Sequence, residues 1–169
     1  DRTKRQTHLK KLVGLSRQGG LHPKLVIWPE TAFAGFSSRN AGLLDKIVSD
    51  ATDRKGALIT GIPRLGMDRT LFNSAIMFNH EGVKTGVYDK RHLVPFGEYV
   101  PFRKWFPFLN PIVGKMDFTA GQNNVLISLD GIGKIQLLIC YEVIFSGEVI
   151  NSSMRPDLMV NITNDAWFG

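Results

Sequence analysis

Lys134-Ile135-Gln136-Leu137-Leu138-Ile139-Cys140-Tyr141-Glu142 runs from an apolar segment straight into a polar, aromatic one. A short apolar run bounded by turn signals reads as a buried strand. Residues 140–153 read as helical after their first few positions, so Cys140 stands where a strand meets a helix. Such a corner can aim a side chain into a cleft. Upstream, Asp130-Gly131-Ile132-Gly133 is a turn-rich connection that predicts a hairpin between strands at 124–129 and 134–139. Downstream, residues 157–163 read as another buried strand.

The first half repeats the theme. Residues 24–28, bounded by Pro23 and Pro29, predict a buried strand that delivers Glu30 at its C-terminal end. Leu43, Leu44, Ile47 and Val48 fall at helical spacing within 40–55, with Asn40 as N-cap and Gly56 as the stop. Strands follow at 57–62 and 71–78, and Asn79 to Gly82 turns the chain into a strand at 83–88. Strand, helix, strand and hairpin together predict an α/β fold with mixed sheets and packed helices.

The chain has 169 residues, 43% hydrophobic and 21% charged, which predicts one globular domain able to fill its own core. That balance excludes collagen, disorder and small disulfide scaffolds, and the single cysteine can form no internal disulfide. No apolar stretch is long enough to span a bilayer. The net charge of +6 is concentrated early, in Arg2, Lys4, Arg5, Lys10, Lys11 and Arg17. With Leu9, Leu12, Val13 and Leu15 interleaved, this reads as the solvated face of an amphipathic helix. Nucleic-acid-binding signatures are missing from the sequence, so no nucleic-acid partner is expected. The start at Asp1 and the stop at Gly169 suggest an excerpt, a single incomplete domain over 1–169.

Five of the 11 Phe and four of the 8 Pro fall between Val94 and Phe118. The prolines disfavour a long regular element, and long loops in compact domains are usually functional. Phe96, Tyr99, Phe102, Trp105 and Phe106, with Arg103 and Lys104 beside them, compose an apolar arm suited to a hydrophobic ligand or a lipid interface. A loop folded back over its own core is the plainer reading.

A lone cysteine at a strand end is more often inert core than nucleophile. At a helix N-terminus it would gain thiolate character. The four histidines show no metal-ligand spacing, and only His92 lies near other interesting residues. Glu30 and Lys90 also sit at strand ends, although each alone reads as a surface charge.

Taken together, Trp28-Pro29-Glu30, Tyr88-Asp89-Lys90-Arg91-His92 and Ile139-Cys140-Tyr141-Glu142 resemble the Glu-Lys-Cys motifs of the nitrilase, or carbon-nitrogen hydrolase, superfamily. The three residues are spaced 60 and 50 apart, in that family's order. Within the superfamily, the segments His92 to Pro101, Cys140 to Glu142 and Asn164 to Gly169 resemble the bacterial apolipoprotein N-acyltransferases. The resemblance implies a nitrilase-like four-layer αββα sandwich, here truncated at both ends, on the periplasmic side of the inner membrane. It implies Cys140 as nucleophile, Glu30 as general base and Lys90 as oxyanion stabiliser, with Glu98, Tyr141 and Glu142 supporting them. It also implies a phospholipid acyl donor, a diacylglyceryl apolipoprotein acceptor, attachment through transmembrane helices outside this chain, and no cofactor or metal. A soluble amidase using the same triad, and an inactive fragment or non-catalytic binding module, are the alternatives.

Overall fold

The computed structural model describes residues 2–18, 23–33, 41–102, 117–122, 124–149 and 155–164. Its elements are α1 (Arg2–Ser16), β1 (Leu25–Ile27), α2 (Ala41–Ala51), β2 (Ala57–Leu65), β3 (Leu71–Phe78) and β4 (Lys84–Asp89). They are followed by β5 (Leu126–Leu129), β6 (Gly133–Ile139), a 3-10 turn (Cys140–Ile144), α3 (Ser146–Val149) and β7 (Leu158–Ile162).

The strands form two sheets. One has the order β1-β2-β3-β4, with β1 parallel to β2 and the remaining pairs antiparallel. The other has the order β5-β6-β7, antiparallel and then parallel. Both are mixed, as expected. Alternation along each strand sorts the side chains. On β3, Ile76 and Phe78 join Val26, Trp28, Leu58 and Ile62 under the helices, packed by Leu44 and Val48 of α2. Ala75 and Met77 point the other way, against Ile135, Leu137 and Ile139 of β6 and Val160 of β7. The described residues thus build a helix layer on two face-to-face sheets, with α3 as the short helix following β6.

α1 lies against the helix-side core through Leu9, Leu12 and Val13, whereas Leu15 is exposed. The Trp28 Nε1–H donates to Ser16 Oγ at 2.9 Å and so ties the end of α1 to the strand below. α2 is shorter than its apolar spacing predicts. It ends at Ala51 because Asp53 and Arg54 adopt left-handed backbone conformations (φ 50° and 56°). Gly56 comes directly after the four-residue turn 52–55, where a Cβ would come within 2.2 Å of the Pro23 carbonyl oxygen. Asn40 lies outside the described residues.

Two further expectations are corrected. β1 is an edge strand among the described residues and leaves Ile27 about half exposed, so it is only partly the buried strand expected. The chain after Cys140 is a five-residue 3-10 turn and then, past Phe145, the four residues of α3, rather than one helix. Residues 150–154 lie outside the description. The two hairpin turns form where expected, with Gly82, Gly131 and Gly133 all at positive φ.

Candidate functional site

Glu30, Lys90 and Cys140 follow the C-terminal ends of β1, β4 and β6. Glu30 is fixed from both sheets: its N–H donates to the Thr163 carbonyl beyond β7, while Gly61 N–H donates to Pro29 O. A Cβ at Gly61 would lie 2.5 Å from Glu30 Cα, so this close approach requires glycine. Lys90 N–H donates to Asn73 O and Lys90 O accepts from Gly121 N–H, both at 2.8 Å. Neither is a surface charge, the reading each has when taken singly. Glu30 is 8% exposed and Lys90 1%.

A buried ammonium requires partners. Lys90 Nζ lies 2.9 Å from Glu98 Oε2 and 3.9 Å from Glu30 Oε1, and sits 5.7 Å from the centroid of the Tyr141 ring. Glu98 is held in turn by Val94 N–H, which donates to its Oε2 at 2.9 Å, and its carbonyl accepts from Phe118 N–H. Asn73, which the sequence reading passed over, completes the cluster. Its Nδ2 donates to Glu30 Oε1 and to Glu98 Oε1, each at 2.7 Å. The signal for it was present: Asn73-Ser74 is a polar pair inside a strand otherwise built of apolar residues and alanine. Asn73 Oδ1 and Glu30 Oε2 are both buried with no hydrogen-bond partner among the described residues. An unsatisfied buried acceptor costs about 1–3 kcal/mol.

Burial pushes the Glu30 carboxyl above its ordinary value, opposed by the Asn73 amide and the Lys90 ammonium. The Cys140 thiol is also pushed up, first by burial and then by the Glu30 charge, with Lys90 and the Tyr141 main-chain N–H pulling the other way. The expectation of thiolate character from a helix N-terminus is therefore corrected. A five-residue 3-10 turn supplies little dipole, and two carboxylates around one ammonium leave a net negative surrounding. The thiol's surroundings thus favour its protonated form, and a base beside it is needed to activate it.

Cys140 itself occupies left-handed backbone (φ 56°), and its side chain is partly exposed. For a residue with a Cβ such a conformation is strained and must be held in place. Glu142 braces the corner. Its buried carboxylate accepts from Ile139 N–H at 2.8 Å, Arg91 N–H at 2.7 Å, His92 N–H at 3.1 Å and the Tyr88 hydroxyl at 3.0 Å. One side chain thereby joins the end of β6 to the loop that carries Lys90. Burial and Glu142 hold the Tyr88 hydroxyl far above its ordinary value, so it remains a donor. Tyr141 donates to Leu93 O at 3.3 Å and packs edge-on against Phe145, which stacks on His92.

From the aromatic arm, Phe96 and Phe102 are 59% and 77% exposed, and Tyr99 is half-buried. Trp105 and Phe106 lie outside the described residues, as do residues 165–169. Among the described residues no group of three or more His, Cys, Asp or Glu is placed to hold a metal ion, and no helix is long and apolar enough to cross a membrane.

The site is thus a strained thiol corner beside a buried carboxylate and a buried ammonium, on paired mixed sheets. The carbon-nitrogen hydrolase family model matches residues 3–169. The chain belongs to this family. Carbon-nitrogen hydrolases of known structure share its architecture. A superfamily protein from Xanthomonas campestris superposes with a TM-score of 0.63 at 20% identity, over 97% of this chain and 60% of that one. A nitrilase-superfamily amidase from Nesterenkonia gives 0.64 at 20% identity, over 94% and 60%. These likenesses show the fold. The curated relatives are more similar in sequence. An apolipoprotein N-acyltransferase from Rhizobium rhizogenes is 39% identical over 96% of this chain and 32% of its own length. Another, from Bradyrhizobium diazoefficiens, is 38% identical over 86% and 28%. The chain spans about a third of the length of these relatives.

Proposed function

We propose that this carbon-nitrogen hydrolase domain carries the active site of an apolipoprotein N-acyltransferase, with Cys140 as nucleophile, Glu30 as general base and Lys90 as oxyanion stabiliser. The observation that carries the roles is the burial of Lys90 between two carboxylates beside the thiol corner. The names of the curated relatives support acyl transfer.

In the first half-reaction the Cys140 sulfur attacks the ester carbonyl of a phospholipid while its proton passes to Glu30. The carbon–sulfur bond forms as negative charge moves to the carbonyl oxygen, beside the Lys90 ammonium. Collapse breaks the ester bond, and the departing lysophospholipid oxygen takes the proton from Glu30. In the second half-reaction the N-terminal amine of a diacylglyceryl-cysteine attacks the thioester. Its proton goes to Glu30 and then to the departing sulfur, and the amide is released.

Burial suits Glu30 to this work, because a carboxylate in a dry site is a stronger base than one in water. The charge on the cluster is conserved in each addition step: Glu30 gains a proton as the substrate oxygen gains charge. Glu142 and Tyr141 act as positioning residues, Glu142 by bracing the corner and Tyr141 by covering Lys90. The exposed Phe96 and Phe102, on the loop that holds Glu98, would meet the acyl chains, and the site would face the periplasm at the inner membrane.

The test incubates the full-length protein with a diacyl glycerophospholipid in detergent micelles, with no acceptor, followed by intact-mass and peptide analysis. The expected result is one acyl group on Cys140, removed by hydroxylamine and missing in Cys140→Ala. Hydrolysis of small amides by a protein whose Cys140 never carries an acyl group would instead make water the acceptor and this a hydrolase.

A further inference from the structure

We infer that Asn73 is a positioning residue whose single side-chain amide holds the general base Glu30 and its neighbour Glu98 on either side of the Lys90 ammonium. The inference rests on the roles proposed for Glu30 and Lys90 and adds a residue to them.

The geometry is restrictive. A primary amide nitrogen has two N–H groups. Asn73 directs both at carboxylates, at 2.7 Å to Glu30 Oε1 and 2.7 Å to Glu98 Oε1. Its main-chain carbonyl accepts from Lys90 N–H at 2.8 Å. One 5%-exposed residue thus touches Glu30, Glu98 and Lys90. The orientation of the amide is fixed by chemistry: turned over, it would set its oxygen against two carboxylates. Asn73 Oδ1 is left buried with no partner among the described residues, a cost the fold accepts in order to aim the nitrogen. Register makes the placement rigid, since Asn73 pairs with Pro63 on β2 and the next residue, Ser74, pairs with Asp89 on β4.

Two effects follow. Donation to the carboxylate favours its charged form, so Asn73 offsets part of the burial that drives Glu30 toward protonation. Without it the base would lose its charge at a higher pH. The same nitrogen separates Glu30 from Glu98, letting the two carboxylates flank one ammonium.

The experiment measures the single-turnover rate of Cys140 acylation against pH in the full-length protein, using the same phospholipid micelles. The variants are Asn73→Ala and the near-isosteric Asn73→Asp. Activity requires ionised Glu30, so the rate falls on the acid side as that carboxylate gains a proton. The expected result is an acid limb displaced upward by about one pH unit or more, further in Asn73→Asp, where a third carboxylate replaces the donors. A lower rate at every pH with the limb unmoved would make Asn73 merely structural and overturn the inference. A second readout removes the dependence on turnover. In a Cys140→Ala background, infrared difference spectra follow the protonated-carboxyl band of Glu30, identified by its loss in Glu30→Gln. That band should titrate at higher pH when Asn73 is replaced, and an unchanged midpoint overturns the inference. If Glu30→Gln acylates Cys140 at the wild-type rate with the same acid limb, the assignment of the base fails, which is a separate result from a limb that belongs to Glu30 but ignores Asn73.

Discussion

The two faces of the β1-β2-β3-β4 sheet are built for opposite ends. The helix side packs Val26, Trp28, Leu44, Val48, Leu58, Ile76 and Phe78, an apolar set with Trp28 and Phe33 stacked at 5.4 Å. The inner side begins the same way, with Ile59, Ala75 and Met77 against the second sheet. At the strand ends it then passes into Glu30, Asn73 and Lys90, all buried. Apolar burial yields about 25 cal/mol per Å2 whatever the detailed arrangement. A buried charge costs several kcal/mol unless its partners are in place. The first face therefore supplies stability that the second consumes, and the proposed chemistry lies at the consuming end.

The largest expected effect comes from removing the cation. Lys90→Met leaves two carboxylates facing one another in a dry site and should cost about 3–5 kcal/mol of stability in chemical denaturation. Acylation of Cys140 should also fall by at least about 100- to 1000-fold. A stability loss no greater than that of an exposed lysine would erase the contrast between the two faces.

Leu58→Ala, on the helix side and fully buried, should cost about 2–5 kcal/mol through lost contacts and a residual cavity. The acylation rate per folded molecule should stay at the wild-type value. A specific loss of rate at full folding would show that the two faces are coupled.

The smallest stability effect, of opposite sign, is expected for Glu30→Gln. Because burial raises this carboxyl above 4.5 in the fold, its contribution is most favourable below that pH and is lost as pH rises through the folded value. Glutamine retains the oxygen that accepts from Asn73 and carries no charge to desolvate. The variant should thus melt at or above the wild-type temperature at pH 7, with the difference closing near pH 4, while acylation is nearly abolished. A melting point lower at pH 7 than at pH 4 relative to wild type would mean that the Lys90 pairing outweighs burial.

Much of the fold was legible because it follows from local pattern. β3 spans the expected 71–78, since its apolar run has hard boundaries at a charged loop and at the Asn79 turn. The helix boundaries were less legible. Left-handed backbone at Asp53 and Arg54 closes α2 early, and the loop after Cys140 follows the Glu142 carboxylate rather than helical propensity. At the site, the motifs named Glu30, Lys90, Cys140, Glu98 and Glu142, and the fold brings Lys90 between Glu30 and Glu98. Asn73 has no such motif, and its place in the cluster comes from meeting residues 17, 25 and 43 positions away in the chain.

By itself the sequence determined roughly where the strands lie, that the fold is α/β with mixed sheets, and which residue types are available for chemistry. These depend on periodicity and side-chain identity, which are local. Only the tertiary structure decided which charges are buried, that burial pushes the thiol upward, and that one asparagine amide holds two carboxylates. Desolvation and hydrogen bonding act between groups distant in the chain, so their strength is fixed only when the strand ends meet.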